Sequence, residues 1–187
     1  MKKLLFLFFI LCIHQVQAQK NKNPSDSTKK IVFTEIVKVD STNRFELYRK
    51  AAKWIESQKF EIIEEDQIAG KLLAKNKIIV YTDRSVLAKP NGEFNHDVLI
   101  EIKEGKYRYS FSNFIFTYYK QDRNLKYVPV KGKKPMEDTN APGWKKQWAK
   151  NKMQVTAEIN NHIINLREAM KYVAPKPVAT PKAKEEW

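Results

Sequence analysis

The feature that most constrains the fold is a run of apolar side chains near the end of the chain, which recur every three or four residues. The run begins at Trp144, directly after Pro142 and Gly143. Its members are Trp144, Trp148, Val155, Ile159, Ile163, Leu166, Met170 and Val173, with one gap of seven residues at Lys152. This spacing predicts an amphipathic helix of about thirty residues. Such a helix is long enough to cross most of a sheet, so the rest of the chain must supply that sheet.

Two alternating segments predict the centre of the sheet. Asp97–Lys103 and Tyr107–Tyr118 both alternate apolar and polar residues, which is typical of strands buried on one face. Glu104 and Gly105 between them predict a tight hairpin. The alternation slips by one residue at Asn113, and this slip predicts a β-bulge.

A shorter helix is predicted ahead of the hairpin, over Arg44–Gln58, where apolar residues again recur at intervals of three and four. Asn43 is a candidate N-cap, with Glu46 as its capping-box partner. The other predicted strands are Ile31–Val39, Phe60–Glu64, Ile68–Ala74 and Lys77–Thr82, the last two being one strand broken near Asn76. Lys89–Gly92 predicts a turn, and Asp122–Pro142, with three prolines and many charges, predicts a long loop.

The order strand, helix, four strands, helix predicts an α+β domain with a single antiparallel sheet of about five strands. The long helix packs on this sheet. We expect the domain to span residues 31–173. Residues 19–30 are polar and predict a flexible leader, and residues 174–187 are rich in Pro and Lys and predict a disordered tail.

Residues 1–18 have the three-part pattern of a secretory signal peptide. Lys2 and Lys3 precede an apolar run, and small side chains at Val16 and Ala18 predict cleavage between Ala18 and Gln19. The apolar run is too short to span a bilayer, so we expect export to the periplasm or the exterior and no transmembrane helix in the mature chain. Cleavage also removes Cys12, the single cysteine, which excludes disulfides, thiolate zinc sites and a cysteine nucleophile.

The mature chain is strongly basic. Without Lys2 and Lys3, 33 Lys and Arg face 21 Asp and Glu, a net charge of +12. Export disfavours a nucleic-acid partner, and so does the predominance of Lys over Arg, because Arg is the side chain suited to bidentate phosphate and base recognition. Two interpretations remain: a solvated surface that keeps the protein soluble, or attraction to anionic lipid headgroups or polysaccharide of the cell envelope, or to another envelope protein.

Three segments resemble a family of secreted Bacteroidetes domains of unknown function. They are the helix Phe45–Ile55, the hairpin at Asp66–Lys71 and the hairpin at Glu104–Tyr109. The resemblance implies a fold like that of the TATA-binding protein, whose repeat is strand, helix, four strands, helix. It implies no activity and carries over no functional residue, and the name of the fold does not imply DNA binding.

Catalytic chemistry has little support in the sequence. After cleavage the histidines are His96, expected in an exposed loop before a strand, and His162, expected to pack on the last helix. They are too few and too far apart in sequence for a zinc motif, no nucleophile elbow is present, and the glycines are isolated. We therefore predict no catalytic residue, no metal and no cofactor.

Three functional hypotheses remain. The first is a non-enzymatic envelope binding or interaction module, and the second is a small-ligand pocket protein in which the long helix grips a curved sheet. The third is an unrecognised hydrolase, which needs His96 and several acids in one cleft. The candidate ligand-binding residues are Tyr107, Arg108, Tyr109 and Phe111, on the aromatic strand after the hairpin. A buried role for these aromatic residues, under the long helix, is the alternative.

Overall fold

A computed structural model of the chain describes residues 30–39, 42–83, 85, 87–139 and 144–171. Within these ranges the strands are β1 (Phe33–Lys38), β2 (Glu61–Asp66), β3 (Lys71–Tyr81), β4 (Pro90–Lys103), β5 (Lys106–Gln121) and β6 (Tyr127–Pro135). The helices are α1 (Arg44–Ser57) and α2 (Lys145–Met170). The predicted signal peptide with its cleavage site, most of the leader and the tail lie outside the described residues. Neither described helix has the length of apolar sequence that crossing a bilayer requires.

The strands form one antiparallel sheet in the order β1-β5-β4-β3-β2, with β6 also paired to β5. β1 pairs with residues 106–111 of β5 and β6 pairs with residues 115–121, so the two short strands lie end to end along one edge of β5. The α+β class and the antiparallel sheet are therefore as predicted. The sheet has one strand more than expected, because β6 occupies the segment predicted to be a loop.

β6 escaped prediction because it is an edge strand. It contains Pro129 and Pro135 and several lysines, all of which disfavour the centre of a sheet. An edge strand tolerates proline because one side of its backbone has no partner strand, and edge lysines oppose unwanted strand pairing. The composition that indicates a loop in sequence is thus also the composition of a protected edge.

β4 begins seven residues earlier than predicted, at Pro90 rather than Asp97. The Pro-Asn-Gly sequence that predicted a turn is the first part of this strand. Gly92 is needed there because a β-carbon would overlap the carbonyl oxygen of Thr117 and the ring of Phe116 on β5. Here glycine serves a close approach between strands rather than a turn. The two predicted segments around Asn76 are likewise one continuous strand, β3.

The bulge predicted at Asn113 is present. Asn113 has φ +57°, and two residues of β5 lie opposite the single residue His96 of β4. The extra residue restores the phase of the strand, so Phe114 and Phe116 face the same side of the sheet as Phe111. Without the bulge these two rings would point away from the helices.

Both helices cover this same side of the sheet. α1 begins as predicted: the side-chain oxygen of Asn43 accepts a hydrogen bond of 2.8 Å from the backbone N–H of Glu46. The buried stripe of α2 follows the predicted spacing, and the gap in the apolar pattern is filled by Asn151, which is fully buried and accepts hydrogen bonds from Asn91 and Gln147. The other side of the sheet has no helix on it in the described part of the chain.

Candidate functional site

The four residues predicted to bind a ligand are not brought together on one surface. Tyr107, Tyr109 and Phe111 face the helices and are buried, whereas Arg108 points to the open side of the sheet. This separation follows from the strand period of two, which sends neighbouring side chains to opposite faces. The alternative interpretation of the aromatic residues, as core under the long helix, agrees with this placement.

Tyr109 links three elements rather than exposing a ring for a ligand. Its hydroxyl donates a 2.6 Å hydrogen bond to Glu35 of β1, which also pairs with Arg167 of α2. The Tyr109 hydrogen bond and then the Arg167 guanidinium lower the pKa of Glu35. The neighbouring Tyr107 is buried more deeply, and this burial raises its pKa to about 12.

Three cations on the open side of the sheet are paired with acidic side chains. The Arg108 Nε lies 2.7 Å from Glu101, Lys71 lies 2.7 Å from Glu64, and Lys77 lies 3.4 Å from Glu93. Such pairs contribute little stability because they are exposed. They neutralise part of the positive charge of this side, which also carries Lys103 and Lys106 opposite each other on β4 and β5.

His96 is not in the exposed loop that the sequence predicted. Because β4 begins at Pro90, His96 lies inside that strand on the helix-facing side, with 1% of its surface exposed. Its ring stacks on Phe114 at 5.5 Å and lies 6.2 Å from Phe60. The position is a core position, and it removes His96 from any solvent-accessible cleft of the kind a hydrolase needs.

His162 is buried on α2, as predicted. Its ring packs edge-on against Phe60, with 5.1 Å between ring centroids. Among the residues that the structure describes, no group of three or more His, Cys, Asp or Glu side chains could hold a metal ion. The histidines therefore belong to the packing of the core.

A different place combines a cavity with aromatic and basic side chains. A cavity of about 390 Å³ lies between the beginning of α2 and strands β5 and β6. We call it the aromatic–basic pocket. Its aromatic walls are Phe116, Tyr118, Trp144 and Trp148, and its rim on β6 carries Lys131, Lys133 and Lys134. The volume is within the usual range of small-molecule sites, roughly 300–1,000 Å³.

The aromatic floor of the pocket is fixed. Trp148 is 7% exposed, stacks on Phe94 at 5.6 Å and meets Phe116 edge-on at 5.3 Å. Its indole N–H donates a 2.8 Å hydrogen bond to the Asp138 carbonyl oxygen. These contacts satisfy the polar end of the ring and hold its orientation, so the floor needs little rearrangement to meet a ligand.

The outer aromatic wall is open to solvent. Trp144 is 41% exposed and Tyr118 is 36% exposed, and the two rings meet edge-on at 4.8 Å. Covering the exposed part of Trp144 with an apolar group would remove apolar area from water, which is favourable. This ring can therefore contact the apolar part of a ligand.

Positive charge surrounds this wall on both sides. Beyond Trp144 a second, shallower depression of about 750 Å³ is lined by Lys145, Lys146 and Lys150. α2 carries no acidic residue in its first turn, and its N-cap, Trp144, has no side-chain oxygen to accept from the backbone. The positive end of the helix dipole thus adds to the positive charge of the lysines, and no acidic residue in the first turn balances it.

This pocket is not predictable from the sequence, for a definite reason. Trp144 and Trp148 belong to the apolar stripe of α2, and the lysines of β6 lie in the segment predicted to be a loop. The pairing of β6 with β5, with Phe116 opposite Lys134, is what joins the two sets. The one local signal is the sequence Trp-Lys-Lys-Gln-Trp at 144–148, which places two lysines between two exposed or pocket-lining tryptophans.

Comparison with known proteins agrees with the fold and leaves the function open. Residues 33–117 match the family described as "Domain of unknown function (DUF4468) with TBP-like fold". No curated protein is significantly similar to this chain in sequence.

Solved structures with the same architecture come from Bacteroides ovatus and Parabacteroides distasonis. The first, a DUF4468 family protein, has a TM-score of 0.57 and 14% sequence identity, with 82% of this chain and 93% of that chain covered. The second, a TBP-like protein, has a TM-score of 0.61 and 13% identity, with 79% and 96% covered. At such identities the likeness concerns the fold alone. Residues 33–117 are thus similar to the DUF4468 family, and the described α+β unit has the TBP-like fold.

Proposed function

We propose that this protein is an exported, non-enzymatic binding module of the cell envelope whose aromatic–basic pocket takes an anionic ligand with an apolar part. The observation that carries the proposal is the pocket itself, which joins a rigid aromatic floor to a rim of lysines. Export is supported by the signal-peptide pattern of residues 1–18.

The aromatic floor of the pocket favours an apolar group of the ligand, and the lysine rim favours an anionic group. The ring faces of Trp144, Trp148 and Phe116 suit a hydrocarbon chain or a ring, since burial of apolar surface is the dominant favourable term in binding. Lys131 and Lys133 on the rim are exposed and suit an anionic group at the mouth of the pocket. A ligand with both groups satisfies both surfaces at once.

The small-ligand hypothesis is compatible with the same site, because the pocket lies between the long helix and the sheet. The two hypotheses differ in whether the ligand is free in solution or held in the envelope. The hydrolase hypothesis has no comparable support, because it required His96 in a solvent-accessible cleft and this side chain is in the core.

A titration that separates charge from apolar surface tests the proposal. Octyl phosphate carries both groups, inorganic phosphate carries only the charge, and octyl glucoside carries only the chain. We expect octyl phosphate to change the tryptophan fluorescence in a saturable way, because Trp144 and Trp148 line the pocket. Each of the other probes should bind at least about tenfold more weakly, a difference of about 1.4 kcal/mol.

Matched variants locate the binding. Trp144→Ala and the pair Lys131→Gln with Lys133→Gln should each weaken octyl phosphate binding. The pair Lys75→Gln with Lys103→Gln removes the same charge from exposed positions on β3 and β4 and should leave binding unchanged. Equal weakening by the two lysine pairs, or saturable binding that ignores Trp144→Ala, would contradict the proposed site.

A further inference from the structure

The lysines around the pocket extend over a wider surface than a small ligand needs. Three come from β6 (Lys131, Lys133, Lys134) and three from the first two turns of α2 (Lys145, Lys146, Lys150). Two aspartates lie close to this set. Asp138 is 3.8 Å from Lys134. The pKa of Asp83 is lowered mainly by hydrogen bonds from Ser85 and to a smaller extent by the positive charge of Lys150. The surface therefore keeps a substantial net positive charge.

Exposed aromatic side chains lie in the middle of this charged surface. Trp144 lines both depressions, so it stands between the lysines of β6 and those of α2. Tyr118 packs against it from β5. Tryptophan and tyrosine are enriched where a protein meets the headgroup level of a bilayer, because each has an apolar body and a polar end. Lysine suits the same level, since its stem lies along apolar surface while its ammonium group stays hydrated.

We infer that this surface docks the protein on a bilayer containing anionic lipids, with Trp144 and Tyr118 entering the headgroup layer and the lysines of α2 and the β6 edge supplying positive charge to the lipid anions. The inference rests on the proposed function and names the partner of the same site. It follows from charge complementarity together with exposed aromatic surface. A soluble polyanion would need only the charge and would leave Trp144 without a role.

Among the described residues that line the two depressions there is no arginine, which is consistent with a bilayer rather than a nucleic acid. Arginine is the preferred side chain for bidentate contacts to nucleic-acid phosphates and bases, whereas lysine acts as a hydrated point charge. Lipid headgroups are mobile, so a protein binds them through its density of positive charge and does not need bidentate hydrogen bonds of fixed direction.

Vesicle co-sedimentation tests the inference with the full mature protein. We expect binding to phosphatidylcholine vesicles that contain phosphatidylglycerol, and little binding to phosphatidylcholine alone. Each lysine near the surface contributes about fivefold to partitioning, so Lys145→Gln with Lys146→Gln should reduce binding by about 25-fold. The control pair Lys75→Gln with Lys103→Gln should change it much less. Trp144→Ala should weaken binding at unchanged net charge.

Four outcomes separate the explanations. Loss of vesicle binding in Trp144→Ala and in the α2 lysine pair, with thermal melting unchanged, supports the inference. Octyl phosphate binding without any vesicle binding overturns the inference and leaves the proposed function in place. Equal binding to dextran sulfate and to vesicles, both insensitive to Trp144→Ala, overturns the inference in favour of a soluble or polysaccharide polyanion. Failure of vesicles and octyl phosphate together overturns both.

Discussion

The burial of His96 makes the stability of the fold depend on pH in a defined way. Its imidazole is 1% exposed, and neither ring nitrogen has a hydrogen-bond partner at normal geometry among the described residues. Burial, and secondarily the charge on His162, lower the pKa of His96 from 6.5 to about 4, and a weak contact with the Phe94 backbone opposes this. The core thus accepts the ring only in its neutral form.

The magnitude and direction of the effect follow from this difference in pKa. A change from 6.5 in the unfolded chain to about 4 in the folded protein corresponds to about 3 kcal/mol. Because the folded pKa is the lower one, this stability is fully present above pH 6.5 and is lost as the pH falls towards 4. Burial lowers the pKa of His162 too, so its contribution has the same sign.

Urea unfolding of the parent protein and of His96→Phe, measured from pH 8 to pH 4, tests this account. Phenylalanine keeps an aromatic ring against Phe114 and cannot be protonated. The parent should lose about 3 kcal/mol more than the variant over this range. Carboxylates titrate in both proteins and cancel in the comparison, and any packing strain shifts the variant at every pH alike. The coupling between His162 and His96 is lost in the variant and is part of the expected difference. Parallel stability curves for the two proteins would refute the argument.

Three other predictions concern the cap, the sheet and export. Asn43→Ala should lower the unfolding free energy by about 1 kcal/mol, because it removes the acceptor for the Glu46 backbone N–H. Asn43→Asp keeps an acceptor at this position and should retain most of that stability. Chemical denaturation measures both changes. Gly92→Ala should shift the melting temperature down strongly, because its β-carbon overlaps β5. Gly132→Ala, whose β-carbon meets nothing within 4 Å, should show only the smaller backbone cost of its φ of +120°. Intact mass of the protein secreted by its native host should correspond to a chain beginning at Gln19; a mass that includes residues 1–18 would contradict the predicted cleavage.

The helices were the most predictable part of the fold. α1 was expected over Arg44–Gln58 and spans Arg44–Ser57, and α2 was expected from Trp144 and begins at Lys145. Their signals are local, because a cap and a repeat of three to four residues lie within one segment. The bulge at Asn113 was predictable for the same reason: the slip in alternation occurs within one strand.

The errors occur where the pairing partner decides the structure. β6 is a strand because the free edge of β5 is available to it, and nothing in its own composition indicates this. The early start of β4 depends in the same way on the close approach of β5 to Gly92. The aromatic–basic pocket was not predicted for a related reason. One of its walls is β6, which was not recognised as a strand, and another is the exposed end of a helix whose other apolar residues form the core.

The central claim is that an anionic, partly apolar ligand enters the aromatic–basic pocket. Heteronuclear NMR of the indole N–H groups during titration with octyl phosphate tests it most directly, because the three tryptophans among the described residues report on different places. Trp144 and Trp148 line the pocket, whereas Trp54 packs against Phe60 in the core. The account predicts saturable shifts for Trp144 and Trp148 with little change at Trp54. Shifts that do not saturate, or that leave Trp144 and Trp148 unmoved, would contradict it.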